Sequence, residues 1–218
     1  MKSVLISTRP KWCEKICHKI GKDENGKPIY EKRIEVRKSA PSEVPFKAYI
    51  YATKPKKFYK CGAMTTSDEL LWLANGKVEM GDGFKFWADG DEYQCLNGKV
   101  IGEFICGKVM FLTPLGLRGF EMREEILKSI CLTNDDLNAY GGLKTLYGWH
   151  ISDLKIYDKP KELSEFISPS KAKKCVDYCI NGICSNLGYE ELCGAIRCCK
   201  YKKLTRPPQS WIYVEEQK

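Results

Sequence analysis

The chain has 218 residues and a formal net charge of +8, from 36 Lys and Arg against 28 Asp and Glu. Hydrophobic residues at 43% and charged residues at 29% exclude a disordered polypeptide and predict a soluble globular protein, with one good core and material left for an insertion. No apolar run approaches the ~20 residues needed to span a bilayer, and Val4-Leu5-Ile6 is too short for a signal-peptide core, so the expectation is a cytoplasmic protein with no membrane partner.

The first predicted element is a helix, with Ser7 or Thr8 as its cap, Pro10 in its first turn and Gly21 at its close. Cys13, Ile16, Cys17 and Ile20 share its core-facing stripe, and Lys11, Lys15, Lys19 and Lys22 fall outside it. Asp23 to Pro28, with Asn25-Gly26 inside, reads as a turn into a strand. On that strand Ile34 and Val36 point one way, so Arg33, Glu35 and Arg37 are expected on the opposite face. A face reading basic-acidic-basic suits a pocket wall: the arginines fork onto phosphate or a base edge, and Glu35 orients them or accepts from an amino group. The alternative is a solvated face with cross-strand ion pairs.

Phe46 to Thr53 is the next strand, ended by Lys54-Pro55. Residues 56–95 read as an insertion, with a short helix from Ser67 to Leu73, a stop at Asn75-Gly76 and a short aromatic strand from Phe84 to Trp87. Its Asp/Gly-rich turns match no twelve-residue calcium loop. Lys99 to Val109 forms a strand with Gly102 and Gly107 as bend or bulge positions. Helices follow at 121–130 and 134–140, the second capped by Thr133 with Asp136 three residues on. Gly148 to Tyr157 is a strand whose apolar phase switches near Ser152-Asp153, which implies a bulge. Leu163, Phe166 and Ile167 mark a short helix, and Trp211 to Val214 gives a terminal strand. Short strands with few helices and no regular βαβ alternation predict an α+β chain built on a small barrel or strongly bent sheet.

Charge and cysteine are both unevenly placed. Residues 1–60 hold 16 Lys/Arg against 6 Asp/Glu, and the remaining 158 hold 20 against 22. Positive charge gathered at one end points to a polyanionic partner, nucleic acid first, with simple solubility as the alternative. Of 12 cysteines, six crowd into residues 175–199: Cys175, Cys179, Cys184, Cys193, Cys198 and Cys199. With no secretory signal, metal ligation is a better reading than disulfides. Cys175, Cys179, Cys193 and Cys198 are candidate ligands of a structural zinc, with Cys184 and Cys199 as substitutes, although none of the spacings is a Cys-x2-Cys knuckle. The alternative is a reduced cysteine-rich appendage.

A helix carrying Pro10-Lys11-Trp12, a Lys32-x-x-Glu35-x-Arg37 strand, Gly102-Glu103-Phe104 and Trp149-His150 follow one another in an order that resembles the ASCH domain of the PUA-like superfamily. The family signature is Gly-x-Lys-x-x-Glu-x-Arg; Lys32, Glu35 and Arg37 fill its last three defined positions, and Tyr30 stands where the glycine would be. The likeness covers about residues 2–157. It implies a PUA-like β-barrel over residues 1–167 with flanking short helices; beyond it, the cysteine distribution reads as a Cys-rich C-terminal appendage over 168–205, and 206–218 as a terminal strand returning to the barrel. It also implies a cleft beside the first helix that binds RNA, another nucleic acid or a modified nucleobase. One branch of ASCH-like proteins hydrolyses N4-acetylcytidine with Lys, Thr and Glu; Lys32 matches that lysine, but Glu35 stands at the threonine position, so that activity does not carry over.

The nucleic-acid-binding candidates are Lys11, Trp12, Lys32, Arg33, Glu35, Arg37, Lys38 and His150. Lys32 is a phosphate anchor or, if desolvated, a catalytic base. Trp12 stacks on a base or packs on the barrel. His150 reads more naturally as a hydrogen-bonded structural histidine than as a general base. Two further classes compete with a binding module: a hydrolase or ribonuclease using the same cleft, and an interaction protein that keeps only the scaffold.

Overall fold

Two strands with continuous apolar runs, Lys2–Thr8 (β1) and Phe46–Ala52 (β5), form the centre of the structure, a computed structural model that describes residues 1–55, 59–61, 64–66, 70–81, 93–169 and 201–216. Between them lie α1 (Pro10–Cys17), a hairpin of β2 (Lys19–Lys22) and β3 (Pro28–Tyr30), and β4 (Ile34–Arg37). After β5 come β6 (Tyr59–Cys61), β7 (Met64–Thr66), β8 (Leu71–Ala74), β9 (Lys77–Met80), β10 (Tyr93–Cys95), β11 (Val100–Cys106) and β12 (Val109–Leu112). Then follow α2 (Glu124–Ile130), α3 (Asn134–Gly141), β13 (Leu146–His150), β14 (Ser152–Lys161), β15 (Phe166–Pro169), β16 (Tyr201–Lys203), β17 (Trp211–Tyr213) and β18 (Glu215–Glu216).

The main sheet runs β14-β11-β5-β1-β17. β1 and β5 pair in parallel, with α1 in the crossover between them, and the other three ladders are antiparallel. Because side chains alternate along a strand, the sheet is apolar on both faces. Val4, Ile6, Ala48, Ile50 and Phe104 pack on one side with Cys13 and Ile16 of α1; Leu5, Tyr49, Tyr51 and Val100 pack on the other with Tyr157, Phe166 and Val214. A second sheet, β12-β13-β4, meets the first where Trp149 sits edge-on to Phe46, ring centroids 4.9 Å apart. The outer face of this second sheet carries Ile34, Val36, Leu112 and Leu146, which bury against Phe120, Ile130 and Leu137 from the α2–α3 region.

The α+β character agrees with the expectation, whereas the ladders of the described residues do not close a barrel: β14 and β17 remain the edges of the main sheet. α1 ends at His18 and not at Gly21, because the chain turns extended there and Lys19 to Lys22 pair with β3. Asp23 stabilises the tip of that hairpin, its side chain accepting from the Asn25 and Lys27 amides at 2.9 and 2.8 Å. Ile20 therefore leaves the core stripe and is exposed. The helix expected up to Leu73 is overturned at its described end, since Leu71–Ala74 is a strand joined to β9 through a turn with Asn75 and Gly76 at positive φ. Ser67 to Glu69 and Phe84 to Trp87 lie outside the described residues. Where one strand with a bulge was expected at 148–157 there are two strands: β13 leaves for the second sheet, β14 joins the first, and Asp153 takes φ 48° just past the junction. The short helix expected near Leu163 is a single 3-10 turn, after which Phe166 begins a strand.

Candidate functional site

Alternation along β4 puts Ile34 and Val36 into the core of the α2–α3 region and turns Glu35 and Arg37 the other way, toward β1 and α1. That face is not solvated. Lys32, Glu35 and Arg37 are only 2%, 5% and 6% exposed. Their charges answer one another: Arg37 Nη2 lies 2.8 Å from Glu35 Oε1, and Lys32 Nζ lies 3.5 Å from Glu35 Oε2. Charges removed from water this far persist only when paired and hydrogen-bonded. Arg37 meets that demand with the end of β1 and the approach to β17, its Nη1 donating to the Ser7 and Ser210 carbonyls at 3.0 and 3.3 Å and its Nη2 to the Thr8 hydroxyl at 3.1 Å. Thr8, expected as a helix cap, serves this guanidinium instead; Arg9 occupies the cap position with no side-chain bond.

Lys32 is held from another direction. Its Nζ donates to the Ile130 carbonyl at the end of α2, at 2.6 Å, and stands 5.1 Å from the centre of the Trp12 ring. Burial, the dominant cause, holds its ammonium below the ordinary pKa of 10.5, while the Glu35 charge works the other way. Glu35 Oε2 is buried and makes no hydrogen bond, and Arg37 Nε is in the same condition. An acceptor of this kind is costly unless a partner completes it. Trp149, directly across the ladder from Glu35, supplies a fully buried apolar flank.

The other candidates separate. Arg33 precedes the strand, so it leaves the Glu35–Arg37 face: its amide donates to the Ser129 carbonyl, its guanidinium to the Ser129 hydroxyl at 2.9 Å, and its side chain is exposed. His150 is opposite Ile34, which places it on the far face of the sheet from Glu35, and burial lowers its pKa. Lys11 and Lys38 are exposed, each over an aromatic ring: Lys11 Nζ is 5.0 Å from the centre of Trp12, and Lys38 Nζ is 4.9 Å from the centre of Tyr140. Tyr140 was not anticipated from sequence, although the Thr133 cap that begins its helix was; both halves of that capping box are present. An open hollow of about 910 Å³, to which Lys32 itself does not contribute, is lined by Ile20, Leu127, Cys131 and Leu132 together with Lys15, Glu31, Arg33 and Asp136. Glu31 pairs with Lys15 and His18 there, and those two contacts hold its carboxyl below the usual range. Cys175, Cys179, Cys193 and Cys198 lie outside the described residues.

Solved structures similar to this chain are ASCH structures. The crystal structure of ASCH from Zymomonas mobilis is 14% identical, with a TM-score of 0.46, and the match covers 98% of this chain and 88% of that one. Two variants of the Zymomonas mobilis protein, also 14% identical, give TM-scores of 0.41 over 98% and 99% of this chain and 89% and 91% of theirs. At this identity and fit, the likeness bears on neither ligand nor chemistry. No family model matches the sequence, and no curated protein matches it. Among the described residues, no helix is long and apolar enough to cross a membrane.

Proposed function

We propose that the chain binds RNA or a modified nucleobase in the cleft between α1 and β4. The observation that carries this is Glu35 Oε2, a buried carboxylate oxygen without a hydrogen bond, reached past an ammonium that lies against the face of Trp12. A base stacked on Trp12 presents N–H groups at its edge, and a small displacement of Lys32 lets such a group donate to Glu35. Lys32 then has a proton free for a neighbouring ring nitrogen or carbonyl. Arg37, whose terminal nitrogens are already engaged, positions Glu35 rather than reading the ligand. The ASCH-like order of Lys32, Glu35 and Arg37 in the sequence agrees with this reading.

The test is titration of a mixed-sequence single-stranded RNA and of the four nucleoside 5′-monophosphates at two salt concentrations. For RNA, log K should fall with log[salt] by ~0.7 for each phosphate contact. Glu35→Gln should weaken nucleotide binding while preserving the salt slope. No binding of either probe at low salt would remove the proposal. A hydrolase in the same cleft is the second reading, favoured by the lowered pKa of Lys32, which increases its fraction of free amine. Product released from RNA or acetylated cytidine, and lost in Lys32→Met, would promote it. For the segment 175–199 we propose, from spacing alone, a structural zinc; less than about a tenth of a zinc per chain in protein purified without added metal would exclude it.

A further inference from the structure

We infer that the open edge of β12 pairs with β12 of a second copy of this chain, antiparallel and about a twofold axis through Met110, which joins the two β12-β13-β4 sheets into one. The pairing is independent of what the cleft binds.

The edges of the main and second sheets are not alike. β14, at one side of the main sheet, carries Lys155, Asp158, Lys159, Pro160 and Lys161, charges and a proline of the kind that keep another strand from adding. β17, at the other side, is only three residues long. β4 is buried along its whole length. β12 has none of these protections. It reads Val109-Met110-Phe111-Leu112, and Phe111 is 69% exposed, with the Tyr147 ring beside it at 5.5 Å between centroids. Leu115 and Leu117 follow at 55% and 93% exposed, so the apolar surface continues past the end of the strand. Open apolar surface along an unpaired edge is a template for another strand.

The main chain fixes which groups are on offer. The His150 amide donates to the Lys108 carbonyl at 3.0 Å, which makes Val109 and Trp149 a pair without mutual hydrogen bonds. By alternation, Met110 with Gly148 and Leu112 with Leu146 are the bonded pairs. The amides and carbonyls of Val109 and Phe111 therefore point away from β13, along the open edge. A twofold axis through Met110 sets Val109 opposite Phe111 of the partner subunit and Phe111 opposite Val109 of the partner subunit, and each of these pairs can exchange both of its bonds.

The side chains favour a second copy as the occupant. Phe111 and Val109 lie on one face, so the pairing sets an aromatic ring against a β-branched residue on each side of the axis. A chain of net charge +8 repels its own kind unless the contact keeps like charges apart. Lys108, the charged residue next to the strand, falls opposite Leu112 of the partner subunit, so no like charges meet across the axis. The twofold also closes the assembly: the joined sheet ends on β4 at both sides, and β4 is already buried.

Sedimentation equilibrium of the full chain, from micromolar to hundreds of micromolar, tests the pairing. The mass should climb from 25.0 kDa toward twice that value. Phe111→Lys should raise the dissociation constant roughly thirty-fold or more, as expected when a central aromatic anchor is lost. Phe111→Tyr, which keeps the ring, should associate like the parent. Because Phe111 is exposed in the single chain, Phe111→Lys should unfold in dilute solution at the same temperature as the parent, which separates lost pairing from lost fold. The axis has its own test. Two Met110 residues facing each other bring their Cα atoms to about 4.5 Å, within disulfide reach, whereas Val109 faces Phe111. Mild oxidation should join Met110→Cys chains into covalent dimers and leave Val109→Cys chains like the parent. A mass that stays at 25.0 kDa at the highest concentration would overturn the inference, and so would a Phe111→Lys variant that associates like the parent. Equal cross-linking at both positions would overturn the axis through Met110, and the pairing with it.

Discussion

Lys32 donates from Nζ to the carbonyl oxygen of Ile130, at 2.6 Å and 98 positions along the chain, and so closes the last turn of α2 from outside the helix. That bond is buried. Lys32→Met keeps most of the side-chain bulk but leaves the carbonyl without a partner, at a cost of ~1–3 kcal/mol. Urea unfolding of the two proteins measures it, and coincident midpoints would show that the contact contributes nothing.

The same residue predicts a dependence on pH. Burial sets the folded pKa of Lys32 below its ordinary value of 10.5, so the folded chain releases this proton before the unfolded chain does. The unfolded state then binds more protons, and stability must rise with pH over that interval. The penalty of the buried charge is full below the folded pKa and vanishes above the unfolded one. Compared with Lys32→Met, the parent should therefore gain stability as pH climbs from neutral through the lowered pKa toward 10.5. Paired denaturation curves at neutral and alkaline pH give the difference; a constant gap would contradict it.

Glu35 is the shared counter-ion of two buried cations, and its removal is the harshest single change in the site. Glu35→Ala leaves Lys32 and Arg37 facing each other without a carboxylate, an uncompensated arrangement that costs ~3–5 kcal/mol. Glu35→Gln, which keeps an acceptor oxygen for Arg37, should cost less. Chemical denaturation would sink this account if the alanine variant lost less than about 1 kcal/mol.

Gly102 and Gly107 were both expected to be bend positions, and the structure distinguishes them. A Cβ on Gly102 would lie 2.5 Å from the backbone oxygen of Lys155, where the β11–β14 register shifts, whereas one on Gly107 meets nothing within 4 Å. Gly102→Ala should cost ~1–3 kcal/mol by forcing those strands apart, and Gly107→Ala should be close to neutral. Thermal melts of the pair settle it; equal melting temperatures would be inconsistent with the close approach.

The parts of the site that were legible in sequence are those governed by short-range rules. Period-two alternation separated Ile34 and Val36 from Glu35 and Arg37, and the spacing from Thr133 to Asp136 located the start of α3. Burial was not legible, because alternation fixes which way a side chain turns and not what it meets. Glu35 reads alike on a wet face or a dry one, and Trp149 and Thr8, which make it dry, come from β13 and β1. Arg33 was assigned to the wrong face because the strand begins one residue later, the Arg33 amide being taken by Ser129. Tyr140 was not anticipated since nothing local distinguishes it from any exposed helical tyrosine; only its contact with Lys38 does.

Arg37 joins the Ser7 carbonyl to that of Ser210, which lies 173 positions beyond the arginine. Loop-closure entropy makes contacts of such separation late and slow to form. The carboxylate of Glu35 therefore acquires its final orientation only after most of the chain has been synthesised and the segment before β17 has docked on β1. A nascent chain still tethered near residue 160 would have the β4 strand and the Trp12 ring, yet lack one of the carbonyls that hold the guanidinium in place. The native setting of the Glu35 carboxylate would then appear abruptly, near the end of folding rather than gradually along it.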